Sequence, residues 1–273
     1  MSGRLYVVST PIGNLGDLSQ RAIETLRSVG AILAEDTRHS RNLLQHFGIE
    51  TKLQPYHEHN EARATPRAIA RLKDGVDLAL ISDAGTPLLS DPGARLVRSA
   101  IEAGIQIIAI PGASALLTAL VVSGLDAERF TFFGFLPRSG RDRTLALEVL
   151  CKLSHAAVVY EAPPRVASTL SELARIGAGE RKAVVARELT KQFEEVRRGT
   201  VGELAAYYEG SSPRGEVVIV LSGATPEAVD ENAARESARR LLRGGLTARD
   251  VVKQLVADHG VSRNTAYRLA HEP

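Results

Sequence analysis

Short apolar runs and amphipathic segments alternate along the first half of the chain. The runs RLYVVS, AILAED, DLALIS and IQIIAI have the length and apolar character of buried strands. Between them, LSQRAIETLRSVG, SRNLLQHFG, ATPRAIARLKDG and ARLVRSAIEAG have helical spacing, and we expect Asp17 to cap the first of these helices. SALLTALVVSG is apolar on all sides and predicts a deeply buried helix. The alternation is typical of an α/β fold with a parallel sheet covered on both faces.

The pattern changes after residue 124, where FTFFGFLPRSGRDR is first aromatic and then rich in Pro, Gly and Arg. Strand-like segments AAVVY, KAVVARE, FEEVRRG and EVVIVLSG follow, with helical segments at PRVASTLSELARIG and VGELAAYYEG. Only LTKQ separates KAVVARE from FEEVRRG, which is too short for a crossover helix, so we predict an antiparallel pair and a mixed second sheet. We therefore expect an N-terminal α/β domain at 1–124, a mixed-sheet α/β domain at 125–225 and a helical basic extension at 226–273.

Composition places the chain among ordinary globular proteins. Of its 273 residues, 44% are hydrophobic and 24% are charged, and no apolar run approaches the ~20 residues of a membrane-spanning helix. The start, MSGRLYVVSTPIGN, lacks the basic region and long apolar core of a secretory signal. We expect a cytoplasmic protein without membrane association.

Cysteine and histidine give no sign of a metal site. The single cysteine, Cys151, lies in the apolar phase of TLALEVLCKL and is interpreted as helix packing. His57 and His59 are two residues apart, a spacing that does not match the i, i+4 pair of a helical zinc site. We interpret them as polar loop residues and predict no bound metal.

Three loops that follow predicted strands share an unusual chemistry. They are STPIGNLGD at 9–17, SDAGTPLLSDPG at 82–93 and PGASA at 111–115. Carboxyl ends of parallel strands meet at one edge of a sheet, and Gly and Pro give rigid turns with an accessible backbone. None contains G-x-G-x-x-G or G-K-[ST], and the second is acidic without any lysine. Such a crevice suits a ligand with a positive charge and hydroxyl groups, and S-adenosylmethionine has both.

Seven segments, in order, resemble one known family. They are TPIGNLGD, AEDTR, SDAGTPLLSDPG, PGASA, FFGFLPR, YEAPPR and ARELTKQFEE. The chain is similar in these motifs to the ribosomal RNA small subunit methyltransferase I family, the RNA-modifying branch of the tetrapyrrole methylase superfamily. This resemblance implies a homodimer of two-domain α/β subunits. It also implies methyl transfer from S-adenosylmethionine to the ribose 2′-hydroxyl of a cytidine in the decoding region of small-subunit ribosomal RNA.

These motifs, together with RGE at 214–216, carry the superfamily's cofactor contacts onto particular positions of this chain. The resemblance implies that these residues line the cofactor site: Pro11, Asp83, Ala84, Gly85, Thr86, Pro87, Ser114, Ala115, Tyr160, Gly215 and Glu216. The porphyrin branch shows a GDP form where this chain has DAGTP, which favours the RNA branch.

A ribose hydroxyl is a weak acid, so a side chain must take its proton or stabilise the developing alkoxide. By type and motif the catalytic candidates are Asp36, Arg38, Glu188 and Lys191. Glu35 is a further candidate, and its structural alternative is that strand alternation turns its side chain away. Several have structural alternatives: Asp36 as a helix cap, Arg38 as a surface ion pair and Lys191 as a solvated turn residue.

Two basic segments predict contact with RNA. Arg138, Arg141 and Arg143 lie in LPRSGRDR, which we expect to be a mobile loop that reaches a phosphate backbone. From Arg235 onward there are eight Lys and Arg against four Asp and Glu, although the whole chain has a net charge of only +2. This tail predicts two short helices around Gly260, a helix-turn-helix with Leu255, Val261, Ala266 and Leu269 in the apolar positions and with Arg263, Asn264, Tyr267 and Arg268 facing outward.

Two other functions are compatible with the pattern. One is a C-methyltransferase of tetrapyrroles, which leaves the basic tail without a role. The other is a nucleic-acid-binding regulator whose α/β body senses a metabolite, which leaves the polar groups at the strand ends without a role.

Overall fold

The computed structural model describes residues 2–224 and 231–272, and the chain forms two compact units, Met1–Ala224 and Thr225–Pro273. The larger unit contains two five-stranded sheets with helices packed against them, and the described part of the smaller unit is helical. The predicted α/β fold with two sheets and a helical extension is confirmed. A domain boundary between 124 and 125 stays a prediction, because both sheets belong to one compact unit.

The first sheet is parallel throughout, as predicted, and has the strand order β3–β2–β4–β1–β5. Its strands are β1 (Leu5–Val8), β2 (Ala31–Ala34), β3 (Leu53–Pro55), β4 (Leu78–Ile81) and β5 (Ile107–Ile110). The helices of this part are α1 (Gln20–Ser28), α2 (Thr37–His46), α3 (Glu61–Lys73), α4 (Ala94–Glu102) and α5 (Ala115–Ser123).

Successive residues of the central strands enter cores on opposite faces of this sheet. Ile32 packs with Leu26 of α1 on one face. Its neighbour Leu33 packs with Leu72 of α3 and Leu96 of α4 on the other. Every residue of β2 and β4 is buried. Their sequences are therefore continuously apolar and do not alternate between apolar and polar residues.

Helix α1 begins two residues later than the sequence pattern suggests. The side chain of Ser19 accepts a hydrogen bond from the backbone N–H of Ala22 and is the N-cap. Asp17 instead ends a short 3-10 turn, Leu15–Asp17, which Asn14 caps. The prediction of Asp17 as the cap is wrong, because the turn occupies the residues that would have started the helix.

The second sheet is mixed and has the order β6–β7–β10–β8–β9. Its strands are β6 (Phe130–Phe135), β7 (Ala156–Glu161), β8 (Lys182–Arg187), β9 (Glu195–Thr200) and β10 (Val217–Leu221), and its helices are α6 (Gly140–Lys152), α7 (Val166–Leu173) and α8 (Val201–Tyr208). Strands β8 and β9 are antiparallel, with Lys182 opposite Thr200, while β6 and β7 are parallel. Both predictions for this sheet are confirmed.

Helix α5 connects the two sheets. Val158 and Val184 of the second sheet pack with Leu116 and Leu120 of α5 and with Ile12 from the loop after β1. On the opposite face the second sheet packs against α6, α7 and α8. The strand ends of the first sheet are thereby held against the second sheet.

The expectation that α5 is deeply buried is wrong for one of its faces. Leu116 and Leu120 are buried, but Leu117 and Val121 are 51% and 80% exposed. Because these two side chains are four residues apart, they form an apolar stripe on the outer face of the helix.

The smaller unit consists, in its described part, of α9 (Glu231–Arg243), α10 (Ala248–His259) and α11 (Arg263–His271). The turn between α10 and α11 contains Gly260 at φ +62°. The core of this unit contains Leu255, Val261, Ala266 and Leu269, as predicted for a helix-turn-helix. Within residues 2–224 and 231–272, none of the helices combines the length and the apolarity needed to cross a membrane.

Candidate active site

The loops after β4, β1 and β5 lie side by side, because these three strands are neighbours in the first sheet. Thr10 and Gly85 form an isolated backbone bridge, with N···O distances of 2.8 and 3.1 Å. The Thr86 hydroxyl is 3.0 Å from that of Ser9 and donates to the carbonyl of Ala113 at 3.1 Å. The three predicted ligand loops are thus tied into one rigid edge, and the Thr86 hydroxyl is used to hold them together.

The acidic loop has an unusually wound backbone. Leu88 and Ser90 have φ of +77° and +72°, and Gly85 and Gly93 are also in the left-handed region. A Cβ at Gly93 would lie 2.5 Å from a methyl carbon of Leu80 in β4, so no larger residue fits there. Non-glycine residues at positive φ cost about 1 kcal/mol each, and they persist where the surroundings fix the backbone.

This edge forms one wall of a cleft of about 480 Å³ between the strand ends of the two sheets. Nine predicted cofactor residues line it: Asp83, Ala84, Gly85, Thr86, Ser114, Ala115, Tyr160, Gly215 and Glu216. Pro11 lines an adjoining pocket of about 540 Å³, which shares Ile12, Asp83, Ala84 and Glu216 with the cleft. Pro87 is buried and lines neither space, so it does not face a ligand in either of them.

Several lining residues were not singled out from the sequence. Asp91 is the second acid of the acidic loop, and its place in the Asp-Pro-Gly at the end of that loop was a signal that could have identified it. Phe135 and Glu161 come from β6 and β7 of the second sheet. Strand ends in a mixed sheet point in both directions, so the sequence pattern alone does not say which of them face the cleft.

Three carboxylates meet on the first-sheet side of the cleft. Burial raises the pKa of Asp91 from 3.8 to about 6, with a further rise from the charges of Glu35 and Asp83. Burial also raises the pKa of Glu35, with Asp83 as the next contributor. Asp83 accepts a hydrogen bond from the backbone N–H of Asp36 at 3.0 Å. A negative, partly desolvated surface of this kind favours a cationic ligand.

Glu35 and Asp36 follow β2, and their side chains point in opposite directions because successive side chains of an extended chain alternate. Glu35 faces the cleft, so the alternative in which its side chain is turned away is wrong. Asp36 points the other way, caps α2 through the N–H of Arg38 at 2.8 Å and forms an ion pair with the exposed Arg38 guanidinium. Backbone and side-chain hydrogen bonds from Arg38 lower the pKa of Asp36. Neither Asp36 nor Arg38 lines the cleft or the adjoining pocket, and their contacts are those of a helix cap and a surface ion pair.

Lys191 projects into the adjoining pocket and is held between two carboxylates. Its Nζ is 2.9 Å from Oε1 of Glu188 and 3.0 Å from Oε2 of Glu216. Burial alone would lower the pKa of Lys191, but hydrogen bonds to Glu188 and Glu216 outweigh it and raise the pKa. The hydrogen bond from Lys191 likewise lowers the pKa of Glu188, so both residues remain charged. This arrangement supplies a fixed positive charge rather than a proton acceptor.

The second sheet contributes an aromatic wall. The ring of Tyr160 packs edge-on against Phe132 and Phe135, with centroids 4.8 and 5.6 Å away. Burial raises the pKa of the Tyr160 hydroxyl. Phe135 lines the cleft and is 58% exposed, which offers an apolar surface to a flat ring.

The basic segment LPRSGRDR is not a mobile loop at its far end, because α6 starts at Gly140. Arg143 is buried, binds Glu172 at 3.0 Å and donates to Thr169 and to the carbonyl of Pro137. It cannot reach a phosphate without breaking this network, so its prediction as an RNA contact is wrong. Arg138 and Arg141 are exposed.

In the smaller unit, Arg263 is exposed and Arg268 joins α9 to α11. Arg268 pairs with Glu231 of α9 and with Glu272, the latter at 2.7 Å. Arg268 faces outward as predicted, but its guanidinium group already forms ion pairs with two carboxylates. Across residues 2–224 and 231–272, no three His, Cys, Asp or Glu side chains are grouped so that they could hold a metal ion.

Comparison with known proteins adds independent information. The tetrapyrrole (corrin/porphyrin) methylase family model matches residues 4–205. The chain is 45% identical to ribosomal RNA small subunit methyltransferase I from Synechocystis sp., over 99% of this chain and 98% of the relative. It is 47% identical to the protein of that name from Xylella fastidiosa, over 97% of this chain and 98% of the relative.

Among solved structures, uroporphyrin-III C-methyltransferase from Thermus thermophilus, complexed with S-adenyl homocysteine, has a similar fold. Its TM-score is 0.58 at 18% identity, covering 81% of this chain and 97% of that one. At this identity the likeness concerns the fold, and the fold agrees with the matched family. The chain therefore belongs to the tetrapyrrole methylase family and, within it, to the ribosomal RNA small subunit methyltransferase I family.

Proposed function

We propose that this chain transfers the methyl group of S-adenosylmethionine to the ribose 2′-hydroxyl of a cytidine in small-subunit ribosomal RNA. The family makes it an S-adenosylmethionine-dependent ribosomal RNA methyltransferase. The finer assignment, to a 2′-hydroxyl in the decoding region, extends the resemblance of the motifs. The observation that carries the proposal is the cleft itself, which combines five acidic side chains with an aromatic wall.

The residues of the cleft fit a sulfonium nucleoside. Glu35, Asp83 and Asp91 provide negative charge, and no lysine or arginine lines the cleft among the described residues. Bound there, S-adenosylmethionine supplies an electrophilic methyl group on a positively charged sulfur. The chain's own part is to fix the reacting groups in line and to exclude water, and positioning of this kind lowers barriers by up to about 7–11 kcal/mol.

We assign the acceptor nucleotide to the adjoining pocket. It shares Asp83 and Glu216 with the cleft and contains Lys191, together with His39 and Asn42 of α2. A protonated Lys191 stabilises negative charge on a ribose oxygen or an adjacent phosphate. Since Glu188 and Glu216 hold its amine in place, this charge is already oriented before substrate binds. Arg138 and Arg141 are exposed, and we assign them to the phosphate backbone of RNA nucleotides close to the acceptor.

We also propose that the enzyme is a homodimer that works in the cytoplasm on the small ribosomal subunit. The exposed stripe of Leu117 and Val121 on α5 supports an interface, because contiguous exposed apolar surface marks sites of protein contact. The variant Val121→Lys should shift the protein toward monomer in light scattering after gel filtration. Ile101→Lys, at another exposed apolar residue, is the control and should leave the mass unchanged.

The decisive experiment transfers labelled methyl from S-adenosylmethionine to purified small subunits and to protein-free ribosomal RNA, followed by nuclease mapping. We expect the label on the ribose of a single cytidine. A label on a base carbon, or on a porphyrin offered in parallel, would reject the assignment.

A second experiment tests the cofactor site. Asp83→Ala should weaken S-adenosylmethionine binding by about tenfold or more in calorimetry, since it removes one of the cleft carboxylates and a backbone anchor. Asp126→Ala, at an exposed acid outside the cleft, is the control. Equal affinities of the two variants would remove Asp83 from the site.

A further inference from the structure

A second groove lies in the smaller unit, between α10 and α11. It has a volume of about 640 Å³, within the range of pockets that hold small ligands. Arg249, Val252, Lys253 and Val256 line it from α10, where their spacing places them on one helical face. Tyr267 and His271 line it from α11.

The chemistry of the groove is an apolar floor with a positive rim. Val252 and Val256 form the floor, and Val256 is 39% exposed. Arg249, Lys253 and Arg263 form the rim, and no acidic side chain lines the groove in the described part of the unit. Lys253 has Asp250 within 3.6 Å, whereas neither Arg249 nor Arg263 has an ion-pair partner among the described residues.

An aromatic side chain stands at the edge of the groove in a fixed orientation. Tyr267 is 61% exposed, and its ring is tilted by 30° from that of His271, with the centroids 4.2 Å apart. The Nδ1 atom of His271 lies 2.8 Å from the carbonyl oxygen of Tyr267, which holds the imidazole beside the phenol ring. A large exposed ring therefore lines the same groove as the guanidinium groups of Arg249 and Arg263.

We propose that this groove binds an unpaired nucleotide of the ribosomal RNA substrate, with its base stacked on Tyr267 and its phosphates on Arg249 and Arg263. The proposal rests on the proposed function, which supplies RNA as the partner. A helix-turn-helix reads duplex DNA through a wide major groove, but the major groove of A-form RNA is too narrow for a helix. Single-stranded RNA is instead held by aromatic stacking together with cations along its backbone.

The charges favour single-stranded RNA over an apolar protein segment. A protein helix docking on Val252 and Val256 would leave two unpaired guanidinium groups at its border. Phosphates neutralise them and release counterions, which is favourable at physiological salt. The exposed ring of Tyr267 then stacks on a base, and this contact does not depend on which base it is.

The test measures binding of the full-length protein to a labelled, unstructured oligoribonucleotide of ~12 nucleotides by fluorescence anisotropy. Tyr267→Ala should weaken binding by about tenfold, and Tyr267→Phe should restore most of it, because the stacking surface is retained. Tyr207→Ala is the matched control, an exposed tyrosine of the larger unit whose ring lies 3.6 Å from the Arg197 guanidinium carbon. It should bind as the unaltered protein does.

The cationic rim is tested by salt dependence. Arg263→Gln should reduce the slope of log affinity against log salt by about 0.7, the value for one phosphate contact on a single strand. Arg243→Gln is the control, since Arg243 is exposed in α9 of the same unit and lies outside the groove. Equal slopes for the two variants would overturn the rim as a phosphate site.

An assay of methyl transfer to small subunits shows whether a negative result contradicts the groove proposal or the proposed function. We expect Tyr267→Ala to raise KM for the subunit while kcat and the affinity for S-adenosylmethionine stay unchanged. If the unaltered enzyme methylates the subunit and Tyr267→Ala matches Tyr207→Ala in every assay, the groove is not an RNA site. If the unaltered enzyme does not methylate RNA at all, the proposed function fails first. Tighter binding of duplex RNA than of the single strand would also overturn the stacking assignment.

Discussion

Removing the charge of Asp91 should stabilise the protein in the absence of cofactor. Asp91→Asn keeps the shape of the side chain but ends the desolvation of a carboxylate and its repulsion by Glu35 and Asp83. The rise from 3.8 to about 6 is two pKa units, or about 3 kcal/mol. Because Asp91 is only half-buried, solvent screening reduces this to about 1–2 kcal/mol.

The sign of the pH dependence follows from the direction of the shift. The folded protein holds the Asp91 proton more tightly than the unfolded chain does, so folding is favoured at low pH. Stability is lost as the pH rises from 3.8 to about 6, and above that range the unaltered protein carries the whole penalty. The advantage of Asp91→Asn is therefore largest near neutral pH and shrinks toward pH 4.

Thermal unfolding of the cofactor-free protein at about pH 7.5 and about pH 5 measures this effect. At the higher pH the melting temperature should rise by about 2–4 °C per kcal/mol of stabilisation. Asp126→Asn, at an exposed acid, is the control and should not change it. The reasoning is refuted if Asp91→Asn melts at or below the unaltered protein near neutral pH, or if its advantage is the same at both pH values.

Two further pairs of variants test where the structure differs from the sequence predictions. Ser19→Ala should cost about 1 kcal/mol in urea unfolding, because it removes the cap of α1, whereas Asp17→Ala should stay within about 0.5 kcal/mol. Arg143→Met should cost about 2–3 kcal/mol, because it leaves the partly buried Glu172 unpaired. Arg138→Gln, by contrast, should leave stability unchanged and weaken RNA binding at low salt.

Local signals in the sequence were sufficient for most of the fold. Continuous apolar runs identified β2 and β4, and the short LTKQ connection identified the antiparallel pair β8 and β9. The apolar composition of α5 was misleading for a physical reason. A helix that is hydrophobic on every side is buried by its own chain or by a partner, and composition does not distinguish these cases.

The site was predictable where it depends on loops of a parallel sheet and less so elsewhere. Six of the predicted residues lie in the loops after β4 and β5 and line the cleft, because strand order puts these loops together. Lys191 and Glu188 form an ion pair through a backbone that places Glu188 and Thr190 at φ of +49° and +65°. No sequence signal predicts such a conformation for residues that are not glycine. The side-chain partners of Arg143, Thr169 and Glu172, lie in α7, far from Arg143 in sequence. The sequence pattern gave no sign of these contacts either.

The glycine at position 215 should be essential for this ion pair. It has φ of +84°, and an added Cβ would lie 2.0 Å from Oε1 of Glu188, the atom that binds Lys191. Gly215→Ala must therefore displace Glu188 in addition to straining the backbone. Gly210→Ala is a matched control, because Gly210 has φ of +70° and nothing within 4 Å of its added Cβ. Backbone strain should cost each variant about 1 kcal/mol. Only Gly215→Ala should lose a further 1–3 kcal/mol or so and show weaker cofactor binding in calorimetry. Equal losses in the two variants would mean that the position of Glu188 does not matter to the cleft.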